Sequence, residues 1–90
     1  MNAIDRFSIS ADVMTRDLGE ETVLLDLSSG TYFGLDAVGS RIWQLIGAGK
    51  NLAEICDTLF DEFEVSREDL KRDSEALMEE LKVRRLIIVE

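Results

Sequence analysis

The segment Glu21-Thr22-Val23-Leu24-Leu25-Asp26-Leu27-Ser28-Ser29-Gly30-Thr31-Tyr32-Phe33-Gly34-Leu35-Asp36 is where one periodicity ends and another begins. Residues 22–27 are a β-branched, apolar run of the kind expected of a central strand. Ser28-Ser29-Gly30 suits a three-residue hairpin loop whose last position needs a positive φ, which glycine adopts at little cost. Thr31–Leu35 then returns as the next strand. Upstream, Phe7, Ile9, Ala11 and Val13 alternate with Ser8, Ser10 and Asp12, the two-residue period of a half-buried strand, and Gly19-Glu20 offers a turn. The first third of the chain is therefore expected to form a three-stranded antiparallel meander.

Beyond Asp36 the period becomes helical. Asp36 is placed to cap a helix whose stripe is Val38, Ile42, Leu45 and Ile46, flanked by Trp43, and Gly47-Ala48-Gly49 stops it. Asn51, with Glu54 three residues on, has the spacing of a capping box before the apolar face Leu52, Ile55, Cys56, Leu59, Phe60 and Phe63. Ser66 opens a third helix with Asp69 at N3, and Val65 and Leu70 occupy the hydrophobic-staple positions. On that helix Leu77 and Leu81 fall within about 20° of Leu70. Leu86-Ile87-Ile88-Val89 fits either a last strand or a helix end. The expected fold is a single α+β domain over residues 1–90, winged-helix-like, with an N-terminal three-stranded antiparallel meander followed by three helices.

The chain has 90 residues, a formal net charge of −9, no histidine and one cysteine. Without histidine there is no imidazole base for a Ser–His or Cys–His pair and no ordinary zinc or haem ligand set. Cys56 cannot form an internal disulfide and lies on an apolar helix face, which marks it as a packed thiol rather than a nucleophile. Adjacent acids such as Glu79-Glu80 or Asp61-Glu62 diverge by about 100° on a helix and do not converge on a substrate. No phosphate loop, metal spacing or cofactor motif is present. Met1-Asn2-Ala3-Ile4-Asp5 lacks the basic and apolar regions of a signal peptide, and no apolar run reaches the ~20 residues of a membrane span. A cytoplasmic, non-enzymatic protein without cofactor or membrane partner is expected.

Two features point towards binding instead. From residue 27 to residue 35 there is no charge and no proline, although the third strand of a meander is an edge. Such edges are normally blunted, as the first-strand region is by Asp12, Arg16 and Asp17, so the open one invites a peptide to add as a further strand. The other possibility is that residues 86–89 or a second copy covers it. On the third helix, one shoulder of the leucine stripe carries Asp69, Asp73, Ala76 and Glu80, and the other Lys71, Ser74, Met78 and Arg85. The first shoulder would make an acidic-walled groove for a basic, partly apolar peptide; the alternative is a solvated helix face. Helix-turn-helix DNA binding is disfavoured, because residues 51–83 hold eleven acids against four bases and would repel phosphates. A carrier protein fits poorly, since Asp73-Ser74 continues as Glu75-Ala76 within a helix.

Residues 21–36, followed by Val38-Gly39-Ser40-Arg41-Ile42-Trp43, resemble the PqqD-like family, the recognition elements for ribosomally synthesised, post-translationally modified peptides. The resemblance extends through the apolar patterns of the second and third helices. It implies a non-catalytic adaptor with a winged-helix-like fold. Such an adaptor binds the leader segment of a precursor peptide as a strand added to the third β-strand, in a groove against the third helix. The implied strand contacts are Thr31, Tyr32, Phe33 and Gly34, and the helix wall would come from positions near Asp69, Asp73, Ala76, Leu77 and Glu80; Lys71, Ser74 and Met78 are the alternative set. The chain looks most similar to the discrete leader-binding proteins of lasso-peptide biosynthesis, which hand the leader to a separate leader peptidase. The alternatives are a PqqD-type chaperone presenting a precursor to a radical SAM enzyme and, more remotely, a winged-helix DNA-binding regulator.

Overall fold

The computed structural model describes residues 4–90; Met1-Asn2-Ala3, part of the stretch read above as lacking a signal peptide, lie outside them. The elements run β1 (Phe7–Ile9), β2 (Val13–Leu18), β3 (Glu21–Asp26), β4 (Thr31–Leu35), α1 (Ala37–Gly47), α2 (Leu52–Glu62), α3 (Arg67–Val83) and β5 (Ile87–Val89). They form the expected α+β arrangement of a three-stranded meander and three helices, with one change in the sheet.

The alternating run 7–13 is not one strand. It breaks at Ser10-Ala11-Asp12, where the Val13 N–H donates to the Ser10 carbonyl. The meander is β2-β3-β4, while β1 leaves it and pairs with β5 in a separate two-stranded antiparallel sheet, Phe7 opposite Val89 and Ile9 opposite Ile87. The cause is the core. Phe7 and Ile87 are both buried in the core, with β1 packed on α1 and β5 on α3. The same pairing assigns residues 87–89 to a strand and occupies the C-terminal tail, so β5 does not cover the outer edge of β4.

Within the meander Leu24 stands opposite Thr15 on β2 and Phe33 on β4, and Thr22 opposite Asp17 and Leu35. Leu24 and Leu35 face the helices and are buried, and the Trp43 indole N–H donates to Thr15 Oγ1 at 3.1 Å, fastening β2 to α1. The alternate positions Met14, Leu18 and Tyr32 are exposed on the outer face. The β3–β4 hairpin has four loop residues rather than the three expected, with Gly30 at φ +72° donating to the Asp26 carbonyl. The Ser28 and Ser29 hydroxyls donate to the Asp26 carboxylate and hold its pKa below the usual carboxylate range.

Each helix begins on the residue its sequence nominates. The Asp36 carboxylate accepts from the Gly39 N–H at 2.8 Å, Asn51 and Glu54 form the reciprocal capping box, and Ser66 accepts from the Asp69 N–H. A Cβ on Gly39 would come within 3.2 Å of the Asp36 carboxylate and 3.3 Å of Leu35, so the tight junction from β4 into α1 favours glycine. The core is Leu24, Ile42, Ile46, Ile55, Leu59, Met78, Leu81 and their neighbours.

Candidate binding site

β4 is the outer strand of its sheet, so every second residue of it turns its backbone N–H and C=O away from β3. Beside that open edge lies a cleft of about 460 Å³. Phe33, Gly34 and Leu35 form its sheet wall, and Val38, Gly39 and Ile42 of α1 its floor. Leu70, Asp73, Ser74 and Leu77 of α3 form the facing wall, with Val65 at the turn before that helix. The direct passage from β4 through the capped Asp36 into α1 explains why one short segment supplies both sheet wall and floor.

The sequence-nominated residues divide among three places. Phe33, Gly34, Asp73 and Leu77 meet across the cleft. Thr31 lies past Phe33, in a smaller hollow of about 240 Å³ beneath the hairpin with Asp26, Ser29 and Arg84. Tyr32 alternates to the outer face of the sheet, 68% exposed. Ala76 and Glu80 line a further surface hollow with Glu79, Val83 and Arg84. Asp69 is half-buried at the start of α3, bonded to Arg72, and is not part of the cleft lining. Of the alternative set, Met78 is buried in the core, Lys71 lies beside Cys56 in a separate hollow, and Ser74 lines the cleft itself.

Val38 and Ile42, which line the cleft, and Arg84, which borders Phe33, escaped the sequence reading. Val38 and Ile42 read only as core, because nothing local says that a floor is needed. Ser74, a member of the alternative helix-wall set, occupies the inward row Leu70, Ser74, Met78, Leu81, spaced at i, i+4, i+8 and i+11. Arg84, just past α3, stacks its guanidinium 4.9 Å from the Phe33 ring centroid and bonds Glu80 at 3.3 Å.

The acidic rim is more compensated than a count of acids implies. Asp69 and Asp73 both lie close to Arg72, at 2.9 and 3.5 Å, and Glu80 is engaged by Arg84. These pairs are largely exposed, so each is worth little individually and is screened by salt. What distinguishes the cleft is apolar lining beside unpaired backbone. Among the described residues no group of three or more His, Cys, Asp or Glu is arranged to hold a metal ion. No helix of the described residues is long and apolar enough to cross a membrane. Burial pushes the Cys56 thiol up, an effect eased by the Ser74 hydroxyl, so the thiolate needed for nucleophilic chemistry is disfavoured.

Comparison with known proteins draws on the same elements. The PqqD family model, described as coenzyme PQQ synthesis protein D, matches residues 21–87, from β3 to the first residue of β5. A solved structure described as TbiB1 in complex with the TbiA(beta) leader peptide is similar at 44% identity and a TM-score of 0.82. That match covers 88% of this chain and 92% of that one. A second, described as lasso peptide synthetase B1 complexed with the leader peptide, is 30% identical with a TM-score of 0.84, covering 92% and 98%. Among curated proteins none matches. The family match over most of the chain and the agreement in fold with both complexes lead to one conclusion: the chain belongs to the PqqD family.

Proposed function

We propose that residues 1–90 act as a single peptide-recognition domain that binds the leader segment of a precursor peptide and presents it to a separate leader peptidase or modifying enzyme. The leader adds to β4 as a further strand, taking affinity from backbone hydrogen bonds and specificity from side chains entering the cleft. The observation that carries this reading is the uncharged, unpaired edge of β4 lying directly beside an apolar cleft. Phe33, Gly34, Asp73 and Leu77 are its central contacts, and Thr31 and Tyr32 extend the strand. Ala76, Glu80 and, at the far end of the helix wall, Asp69 contribute through charge and shape. The adaptor performs no chemistry of its own and works in the cytoplasm.

Both similar solved structures hold a leader peptide, and one of them is described as lasso peptide synthetase B1, which supports a lasso-peptide pathway. The family description favours the second reading, a chaperone for a PQQ-type precursor, and the class of leader bound separates the two. The TbiA(beta) leader, named with the 44%-identical neighbour, is a suitable probe. Titration of that labelled leader should give saturable binding that Phe33→Asp or Asp73→Lys weakens. Unchanged affinity in both variants would remove the cleft from the proposal.

A further inference from the structure

The two-stranded sheet has an open edge of its own. Among the described residues β5 pairs only with β1, and Leu86–Val89 carries no charge and no proline. The Ser10 N–H donates to the Leu86 carbonyl at 3.0 Å and the Glu90 N–H to the Arg6 carbonyl at 2.9 Å. In an alternating antiparallel ladder that phase turns the N–H and C=O of Ile87 and Val89 away from β1. Beside β5 lies a hollow of about 650 Å³, where Ile88 is 55% exposed. Lys82 and Arg85 line it from the end of α3, together with Asp12 and Asp26. Neither cation forms an ion pair among the described residues, and the Asp26 carboxylate is already taken by the Ser28 and Ser29 hydroxyls. Arg85 is also the one described non-glycine residue with a positive φ, +60°. It ends α3 in the conformation that glycine normally supplies, with the Leu86 N–H donating to the Leu81 carbonyl and its own N–H to that of Lys82. An arginine there costs the fold stability that glycine would not, and it forms no ion pair in return.

We propose that the β5 edge is a second strand-addition site, taking an extended segment of a partner protein that combines apolar residues with carboxylates. The backbone of that segment bonds Ile87 and Val89, its apolar residues cover Ile88, and its carboxylates meet Lys82 and Arg85. Asp12 and Asp26 hold those carboxylates to the α3 side of the hollow. Charge complementarity selects this occupant: two unpaired cations beside an apolar edge are a local exception in a chain of net charge −9, and a second copy would bring the same −9 to the contact. The hollow shares no lining residue with the β4 cleft, so both edges can be occupied at once. The inference therefore stands apart from the leader reading, which concerns β4.

The test is selection from a randomised peptide-display library by the unaltered protein, by Phe33→Asp and by the double variant Lys82→Glu/Arg85→Glu. The unaltered protein should enrich two classes. One is lost by Phe33→Asp and belongs to β4. The other, acidic with β-branched or aromatic residues between its acids, is kept by Phe33→Asp and bound about tenfold more weakly by the double variant. Val89→Pro removes an outward N–H without touching the pairing to β1, and should lose the acidic class while still binding the first. Arg85→Gly should bind the acidic class more weakly yet melt at a higher temperature. The inference is overturned by the lack of an acidic class, by one indifferent to Lys82, Arg85 and Val89, or by a basic class that Phe33→Asp keeps. A lower melting temperature for Arg85→Gly also overturns it, because the arginine would then serve the fold. A dimer in analytical ultracentrifugation that the double variant dissociates would give the edge to a second copy instead. Loss of the first class alone removes the leader reading and leaves the β5 site standing.

Discussion

β2 and β4 flank the same central strand, and their free edges are built in opposite ways. β2 carries Arg16 and Asp17, follows Asp12, and is fastened inward where Trp43 donates to Thr15. β4 carries no charge, and its neighbours Leu27 to Gly30 carry none either. Its last residue leads directly into the Asp36 cap of α1, and its open edge faces α3 across a cleft instead of solvent alone. An edge strand is a hazard unless charge, proline or cover protects it. One edge of this sheet has that protection, and the other has a shaped hollow in its place. The contrast supports the proposal that a peptide adds at the strand whose exposure would otherwise be a defect.

Placing the same charge on both edges gives the strongest test. Phe33→Asp puts a carboxylate in the cleft wall and should weaken leader binding by about a hundredfold. Met14→Asp, on the outer face of β2, should change it by no more than about twofold. Fluorescence anisotropy measures both, with far-UV circular dichroism to verify folding; equal losses at the two strands would erase the distinction. Next in size, Thr15→Val deprives the buried Trp43 N–H of its acceptor and should cost about 1–3 kcal/mol in urea denaturation. Peptide affinity below the unfolding midpoint should stay unchanged if, as proposed, binding belongs to β4 and not to β2.

Asp36→Ala removes the cap that couples the end of β4 to α1, which should lower stability by about 1 kcal/mol, read from the same denaturation curves. The smallest effect belongs to Asp26 in the β3–β4 hairpin. Its carboxyl is held below the ordinary range by the Ser28 and Ser29 hydroxyls. Its stabilising contribution is therefore present above the unfolded-state value of about 4 and fades as pH falls through the lowered folded value. Asp26→Asn should flatten a slight acid-side slope in the denaturation midpoint, and an unchanged slope would show that the hairpin carboxylate carries none of it.

The helices were legible because their signals are local. Asp36, Asn51 and Ser66 each meet a backbone N–H three residues ahead, so composition within one turn suffices to place a helix start. The strand at residues 7–13 was misjudged for a related reason: alternation reports that one face is buried but not which strand lies alongside. Phe7 and Ile9 satisfy that pattern equally well in the meander or against β5, and the choice falls to Phe7 and Ile87 joining the helical core. Gly30 was recognised as the residue needing positive φ, whereas the loop length depended on register across the hairpin.

The candidate site was legible to a similar depth. An uncharged edge at residues 27–35 and an α3 shoulder bearing Asp73 and Leu77 can be read directly from residue types and helical phase. That Tyr32 turns outward while Phe33 turns in depends on the facing of the whole sheet, whereas the arginines that take up Asp69 and Glu80 lie only three and four residues further along the chain and were within reach of a local reading.

By itself, the sequence determined the change of period at Asp36, the three capped helices, the bare edge strand and the acidic balance of the later helices, all consequences of interactions spanning a turn or a hairpin. Only the tertiary structure decided that β5 pairs with β1 and leaves β4 open, that α1 floors the cleft, and that Ser74 is buried on the inward face of α3. Those outcomes follow from packing a single small core, where the position of each side chain is set by partners that no local pattern names.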